Sequence, residues 1–302
     1  MSPTIKSGIL DMTVAMVLSG TIGWFVLQSG QSPANVVFLR CLIGAPVLAL
    51  LAYRAGVLAI IRGRTLLLAM IGGVALVLNW LALFSAYPLA SISAATIVYN
   101  VQPFMLVGLG VLFLGEKVST NKLIWLGLAF AGMLAMTLSG PATEDNAQGS
   151  YLLGILLAVV AAFCYAVAAF VTKWLKGTSP YLIALIQVST GVVLLAPLAD
   201  WHNLPTAPQN WAMVATLGIV HTGIMYAFLY SAIQKLPVVL TGTLSFLYPV
   251  VAVIVDMSAF GHVLTPVQAL GGAAILFAAV ATTLNLPPKA LFLPKRKVSQ
   301  RR

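Results

Sequence analysis

Along this chain, apolar residues run in stretches of about twenty, cut by short clusters of Gly, Pro, Asn, Ser and charge. A helix crossing a hydrocarbon core needs about 20 mostly apolar residues, and cutting at the clusters yields ten segments. The first five are Gly8 to Ser29, Ala34 to Tyr53, Thr65 to Tyr87, Ser91 to Leu114 and Lys122 to Leu138. The second five are Tyr151 to Trp174, Tyr181 to Ala199, Asn210 to Ala232, Val238 to Phe260 and Pro266 to Leu286. Several connections have room only for a turn. Neighbouring segments are therefore expected to form antiparallel hairpins, since backbone groups in lipid must be satisfied internally. The period-two alternation of a membrane barrel is absent from these runs. The opening run, Gly8 to Leu27, is longer than a signal-peptide core and lacks a small-x-small cleavage site, so it reads as a retained first helix. The expected fold class is an all-α integral membrane protein with ten transmembrane helices.

The segments repeat at a constant offset of 146 residues. Gly8-Ile9-Leu10 recurs as Gly154-Ile155-Leu156, Gly72 as Gly218, and Leu83, Ser85 and Ala86 as Leu229, Ser231 and Ala232. Pro103 recurs as Pro249, Gly115 as Gly261, and Thr137-Leu138 as Thr283-Leu284. Identities among Leu- and Ala-rich runs mean little singly. One offset that also aligns an intrahelical proline and the glycine closing the same helix is hard to reach by chance. The chain thus divides into a first five-helix repeat over 1–140, a second over 150–286, and a basic tail over 287–302. An odd number of spans per repeat turns the second repeat upside down relative to the first. Inverted pairs of this kind are the usual build of secondary transporters, whose halves exchange conformations around a midplane site.

Composition and charge then set the environment and the orientation. With 61% hydrophobic and 7% charged residues and a mean hydropathy of +1.02, the chain has no means of building a soluble surface. The net charge of +10 is distributed unevenly. Lys6, Arg54, Arg62, Arg64, Lys117, Lys122, Lys173, Lys176 and Lys235 fall at one set of helix ends, joined by Lys289, Lys295, Arg296, Lys297, Arg301 and Arg302 in the tail. The opposite loops carry Glu144, Asp145 and Asp200 without Lys or Arg. By the bias of basic loops to the cytoplasm, both termini are expected there, in a multi-pass protein of the inner membrane. The basic charge is a topology signal and an attraction to anionic headgroups rather than a nucleic-acid surface. Cys41 and Cys164 lie inside apolar runs and suggest neither disulfide nor metal site, and no cofactor is implied.

Polar and aromatic residues at membrane depth tend to face a cavity or a partner helix. They gather in the third, fourth, eighth and ninth segments: Asn79 and Trp80; Thr96, Tyr99, Asn100 and Gln102 around Pro103; His221 and Tyr226; Phe246 and Tyr248 before Pro249. Trp80, Asn100 and Gln102 correspond through the offset to Tyr226, Phe246 and Tyr248, which outlines an aromatic midplane chamber with a few amides. Pro103 and Pro249 free carbonyls one turn back, near Tyr99 and Ser245, serving as ligand acceptors, as gating kinks or as packing kinks. Arg40, about 9 Å into the second segment, either snorkels to outer headgroups or offers its guanidinium to a substrate carboxylate. His221 reads first as a neutral hydrogen-bonding group between helices and second as a proton carrier. Asp11 reads as interfacial.

Phe38-Leu39-Arg40, Gln102-Pro103 followed by Gly115-Glu116-Lys117, and their echoes Tyr248-Pro249 and Gly261-His262 resemble the drug/metabolite transporter superfamily, in particular its ten-helix EamA-type exporters. Within it the chain is similar to YddG-type exporters of aromatic and other hydrophobic amino acids. His262 departs from a second Gly-Glu. The resemblance implies export of a small metabolite, such as an amino acid, by alternating access; the sequence leaves monomer and homodimer open. Small multidrug exporters of the superfamily rely on a membrane-embedded Glu, and no span interior here carries one. A drug or cation carrier, or a nucleotide-sugar or phosphate-ester carrier needing several chamber-facing bases, is the alternative; a membrane scaffold or an intramembrane enzyme, for which neither HExxH nor GxSxG is present, is the remote one.

Overall fold

The computed structural model describes residues 2–58, 63–90, 95, 98–138, 151–260 and 265–288. Arg62, Thr96, Glu144, Asp145, Gly261, His262 and the basic residues from Lys289 onward lie outside the described residues. Among those described, regular structure is helical, apart from one isolated bridge between Lys176 and Thr178. The helices are α1 (Pro3–Ser29), α2 (Pro33–Arg54), α3 (Arg64–Ala90), α4 (Gln102–Leu114), α5 (Thr120–Leu138), α6 (Tyr151–Trp174), α7 (Pro180–Leu195), α8 (Pro208–Lys235), α9 in two pieces (Val238–Ser245 and Leu247–Phe260) and α10 (Pro266–Thr283). Seven of them, α1, α2, α3, α6, α8, α9 and α10, are long and apolar enough to cross a membrane, while α4, α5 and α7 are shorter apolar helices.

Local chemistry explains the boundaries. The hydroxyls of Ser2, Ser32 and Thr265 accept from backbone N–H groups three residues on, each followed by a proline at the first helical position, where the missing N–H would have had no partner. Thr265 and Gln268 complete a reciprocal capping box on α10. Gly30 and Gly115 end α1 and α4 at φ 65° and 62°, a left-handed turn that a side chain resists. Where a cap rather than the last charge sets the start, a helix begins earlier than hydropathy suggests: α1 starts at Pro3 and includes Lys6.

Each helix finds its main partner in the other half of the chain. α3 packs on α6 as α8 packs on α1; α4 packs on α6 as α9 packs on α1; α3 meets α7 as α8 meets α2; and α2–α7, α4–α9 and α5–α10 pair directly. The pattern maps onto itself when α1–α5 are exchanged with α6–α10. The halves are therefore interleaved, not side by side. Small residues permit close approach: a Cβ on Gly44 would meet Thr222 Cγ2 at 2.6 Å, one on Gly218 would meet Ile43 Cβ at 2.5 Å, and one on Gly132 would meet the Gly271 carbonyl at 2.6 Å. Gly132 is thus spent inside the bundle, whereas Gly127 beside it faces open space.

Polar contacts sort the helix ends into two faces. Near the start of α1, Asp11 meets Lys235 at the end of α8, and Glu116 after α4 meets Lys173 at the end of α6. Trp125 near the start of α5 donates to the Leu286 carbonyl after α10. These ends form what we call the amino-terminal face. On the opposite face, the Asn35 amide at the start of α2 bonds the backbone of Asp200 and Asn203 after α7, and Asn210 at the start of α8 donates to the Ser29 carbonyl ending α1.

Candidate functional site

A cavity of about 460 Å³ lies between the halves. Its wall includes Met16, Ser19, Gly20, Gly23 and Leu27 of α1, Arg40 of α2, Trp80, Leu83 and Phe84 of α3, Tyr99 and Gln102 around the start of α4, Tyr165 of α6, Met225, Tyr226 and Leu229 of α8, and Ser245 and Tyr248 of α9. Gln31 and Pro33 in the α1–α2 connection also line it, so the cavity reaches the face opposite the amino terminus. The lining repeats with the sequence: Ser19 with Tyr165, Trp80 with Tyr226, Leu83 with Leu229, Tyr99 with Ser245 and Gln102 with Tyr248 all stand 146 residues apart.

Of the residues expected at the site, Arg40, Trp80, Tyr99, Gln102, Tyr226 and Tyr248 line this cavity. Asn79 stands behind it, donating to the Ala161 carbonyl at 2.9 Å and to the Tyr99 hydroxyl at 3.3 Å. Asn100 holds Tyr248 in place, its amide donating to the Tyr248 hydroxyl at 2.8 Å and its carbonyl oxygen lying 3.0 Å from that oxygen. Phe246 is fully buried against Phe130, with ring centroids 6.1 Å apart. His221 of α8 faces α1: Nε2 is 2.7 Å from Thr21 Oγ1 and Nδ1 is 3.3 Å from the Thr216 carbonyl, with the Phe25 ring tilted at 53° and 5.0 Å away. The Thr216 carbonyl can only accept, which places a proton on Nδ1, while the one proton of the Thr21 hydroxyl is shared between Nε2 and the Leu18 carbonyl at 2.8 Å. Thr96 lies outside the described residues.

The prolines act differently from intrahelical kinks. Pro103 is the second residue of α4, after a turn at Asn100 and Val101, and Pro249 is the third residue of the outer piece of α9, after a break at Phe246. Asn100 and Phe246 are themselves related by the 146-residue offset. The chain breaks just before each proline, which then occupies a first helical turn where no donor is lost. At Ser245, the hydroxyl turns back onto the Thr241 carbonyl at 2.9 Å.

Arg40 carries the electrostatics of the cavity. It is 1% exposed, its Nε donates to Thr222 Oγ1 at 2.9 Å and its Nη2 to the His221 carbonyl at 3.3 Å, and its guanidinium lies 4.3 Å over the Trp80 ring. Thr222 relays the bond onward, donating to the Leu217 carbonyl at 2.9 Å. Both acceptors lie in a π-helical stretch of α8, Ile219–Ile224, a widened turn of the sort that recurs at functional sites. Among the described residues the ion pairs join Lys173 to Glu116 and Lys235 to Asp11, and neither includes Arg40. A buried cation lacking a carboxylate costs several kcal/mol, offset here by two neutral acceptors and an aromatic face.

Sequence reasoning missed the α1 stripe and Tyr165. Met16, Gly20, Gly23 and Leu27 are apolar or small and look like any lipid-facing or packing positions. The signal for Tyr165 was present: it is Ser19 carried through the offset. The π-stretch leaves no mark in composition.

A family model for the EamA-like transporter family matches the chain twice, over residues 6–138 and 152–284. The chain belongs to the EamA-like transporter family. Curated relatives agree in kind. One of them, an uncharacterized transporter, YxxF, of Bacillus subtilis, is 29% identical over 92% of this chain and 90% of its own length. The pseudopaline exporter CntI of Pseudomonas aeruginosa is 23% identical over 72% of this chain and 75% of its own length. A probable terminal-alkyne amino-acid exporter of Streptantibioticus cattleyicolor is 27% identical over 59% of this chain and 60% of its own. A solved crystal structure superposes with a TM-score of 0.80 at 21% identity, covering 92% of this chain and 99% of that one, so the two share a fold. This EamA-like protein is a multi-pass membrane transporter with a small-molecule substrate, and its family points to transport rather than catalysis.

Proposed function

We propose that this EamA-like transporter exports small hydrophobic or aromatic amino acids across the inner membrane, by alternating access between two inverted five-helix repeats, with both termini in the cytoplasm. The observation that carries the reading is Arg40, a buried guanidinium at the wall of a mainly aromatic cavity with no carboxylate of its own among the described residues. A guanidinium matches a substrate carboxylate in a two-bond fork. Trp80, Tyr99, Tyr165, Tyr226 and Tyr248 supply faces for an apolar side chain and hydroxyls for an amino group. The amide of Gln102 and the hydroxyls of Ser19 and Ser245 add neutral acceptors. A cavity of about 460 Å³ suits a single amino acid of the larger kind. Two of the relatives are named as exporters, one of them of an amino acid. A phosphate-ester cargo carries at least two charges, and Arg40 is the one basic side chain among the described lining residues.

The test is flux. Purified protein in liposomes, loaded with a panel of labelled amino acids and given an imposed pH gradient, should move the aromatic and branched members down their gradients and ignore sugar phosphates. Absence of flux for every amino acid would overturn the substrate assignment, and the pH gradient reads proton coupling in the same experiment.

A further inference from the structure

The cavity is closed at one face only, and the closure is charged. Its wall reaches Gln31 and Pro33 at one face, yet includes no residue from the helix ends at the amino-terminal face. There, two ion pairs span the halves. Asp11 of α1 meets Lys235 of α8 at 2.6 Å, and Ser231 donates to the same carboxylate oxygen at 2.7 Å. Glu116 after α4 meets Lys173 of α6 at 3.1 Å and accepts from the Val238 N–H that opens α9, at 2.9 Å. Lys173 also donates to the carbonyls of Leu236 and Ile233 between α8 and α9. These contacts tie α1, α4, α6, α8 and α9, five of the helices that wall the cavity, at one end.

The sequence repeat shows what stands at the mirror positions. Carried through the 146-residue offset, Asp11, Lys235, Lys173 and Glu116 become Leu157, Leu89, Leu27 and His262, the last outside the described residues. Leu157 packs with the small cluster of Ala86, Ala95 and Ala158, and Leu27 lines the cavity, 66% exposed. A repeat protein that alternates between mirror-related states thus has unlike closures: two acid–base pairs at one face, and Leu157 with Leu89 and His262 with Leu27 at the mirror positions.

We infer that Asp11–Lys235 and Glu116–Lys173 form an ionic latch that closes the amino-terminal face and biases the transporter toward the state open at the opposite face, neither pair having an acid–base counterpart at the mirror positions. The inference rests on alternating access, but on no assumption about the substrate. Each pair is largely sheltered from solvent and strengthened by further hydrogen bonds, and each joins the two halves at the closed face, so that opening this face would part it. Removing one removes stabilisation of this state selectively, which shifts the population toward the other.

The test is thiol accessibility in lipid nanodiscs, where both faces meet solvent, on a chain with Cys41 and Cys164 replaced by Ala. Met12 is fully buried one turn of α1 below the lining residue Met16, on the path toward the amino-terminal face. Leu27 sits at the open end. Asp11→Asn and Glu116→Gln should each raise the rate of labelling of Met12→Cys by a water-soluble maleimide about five-fold, and should lower that of Leu27→Cys. The charge exchange Asp11→Lys with Lys235→Asp should return both rates toward the parent. Unchanged labelling in both variants, or a rise at both probes, which marks general loosening, would overturn the latch; size-exclusion profiles confirm that the variants are folded. Failure of amino-acid flux alone would leave these rates untouched, so the two readings fail separately.

Discussion

At the scale of single residues, Arg40 concentrates what the protein has to do. Its charge is removed from water, held by Thr222 and the His221 carbonyl, and stacked on Trp80. Truncating a buried, hydrogen-bonded charge that meets a ligand charge costs 2–5 kcal/mol. Arg40→Ala is therefore expected to raise the half-saturating concentration of an amino-acid substrate by roughly 30-fold or more. Arg40→Lys should recover only part, because an ammonium lacks the planar fork. Competition by the matching decarboxylated amine separates the roles: its affinity should stay within about two-fold of the parent in Arg40→Lys, because an amine makes no call on the guanidinium fork. Arg40, Trp80 and Tyr226 were legible in the sequence because a deep arginine or aromatic is conspicuous among Leu and Ala. Asn79, Asn100 and His221 were equally conspicuous, yet the structure spends them on holding neighbours: Asn100 on Tyr248, Asn79 on a carbonyl of α6, His221 on Thr21. Polarity at depth marks a residue as constrained. Whether it faces the cavity or the wall behind depends on helix rotation, which a single sequence does not report.

At the scale of elements, α8 shows what hydropathy alone misses. Its length and apolar character are readable, but the π-stretch Ile219–Ile224, which lies where α8 packs against α2, is not. Gly218 and Gly223 leave room for Ile43 and Val47, and Gly44 leaves room for Thr222, so that α2 lies close enough for Arg40 to reach the widened turn. Gly218→Val should force these backbones apart and destabilise the fold by about 1–3 kcal/mol, seen as a lower midpoint of thermal unfolding in detergent. Thr222→Val keeps the volume near constant but leaves Arg40 Nε without its acceptor. It should lower the apparent affinity for amino acids several-fold while displacing the unfolding midpoint far less than Gly218→Val. If Thr222→Val instead acts on stability alone, the relay through Thr222 is a packing feature. The broken helices at Asn100 and Phe246 follow the same lesson. The prolines were visible in the sequence, but whether each kinks a helix or begins a new segment depends on the turn before it, where Val101 bonds back to Val98 and Phe246 to Thr243.

At the scale of the whole molecule, the offset of 146 residues reaches beyond sequence identity, since it relates cavity-lining residues that share a hydroxyl but little else, such as Ser19 with Tyr165 and Tyr99 with Ser245. The walls on the two sides of the site have diverged while their positions persisted. The pairing of α3 with α6 and of α1 with α8 means that a half taken alone would expose the faces that normally meet the other half. Lipid is a fair solvent for the apolar side chains there, but not for Asn79 or Arg40, which bond across the divide to α6 and α8. Residues 1–140 and 150–302 expressed separately should therefore yield little stable protein, each losing these bonds to a medium that offers no replacement. Expressed together as two chains, they should associate into a complex that elutes like the intact protein and retains substrate flux, because the contacts that define the cavity run between the halves and not through the connection. Recovery of stable, monodisperse protein from either half alone would show that a five-helix unit satisfies its own buried polar groups, and that the interleaved arrangement is not what holds Arg40 at the cavity wall.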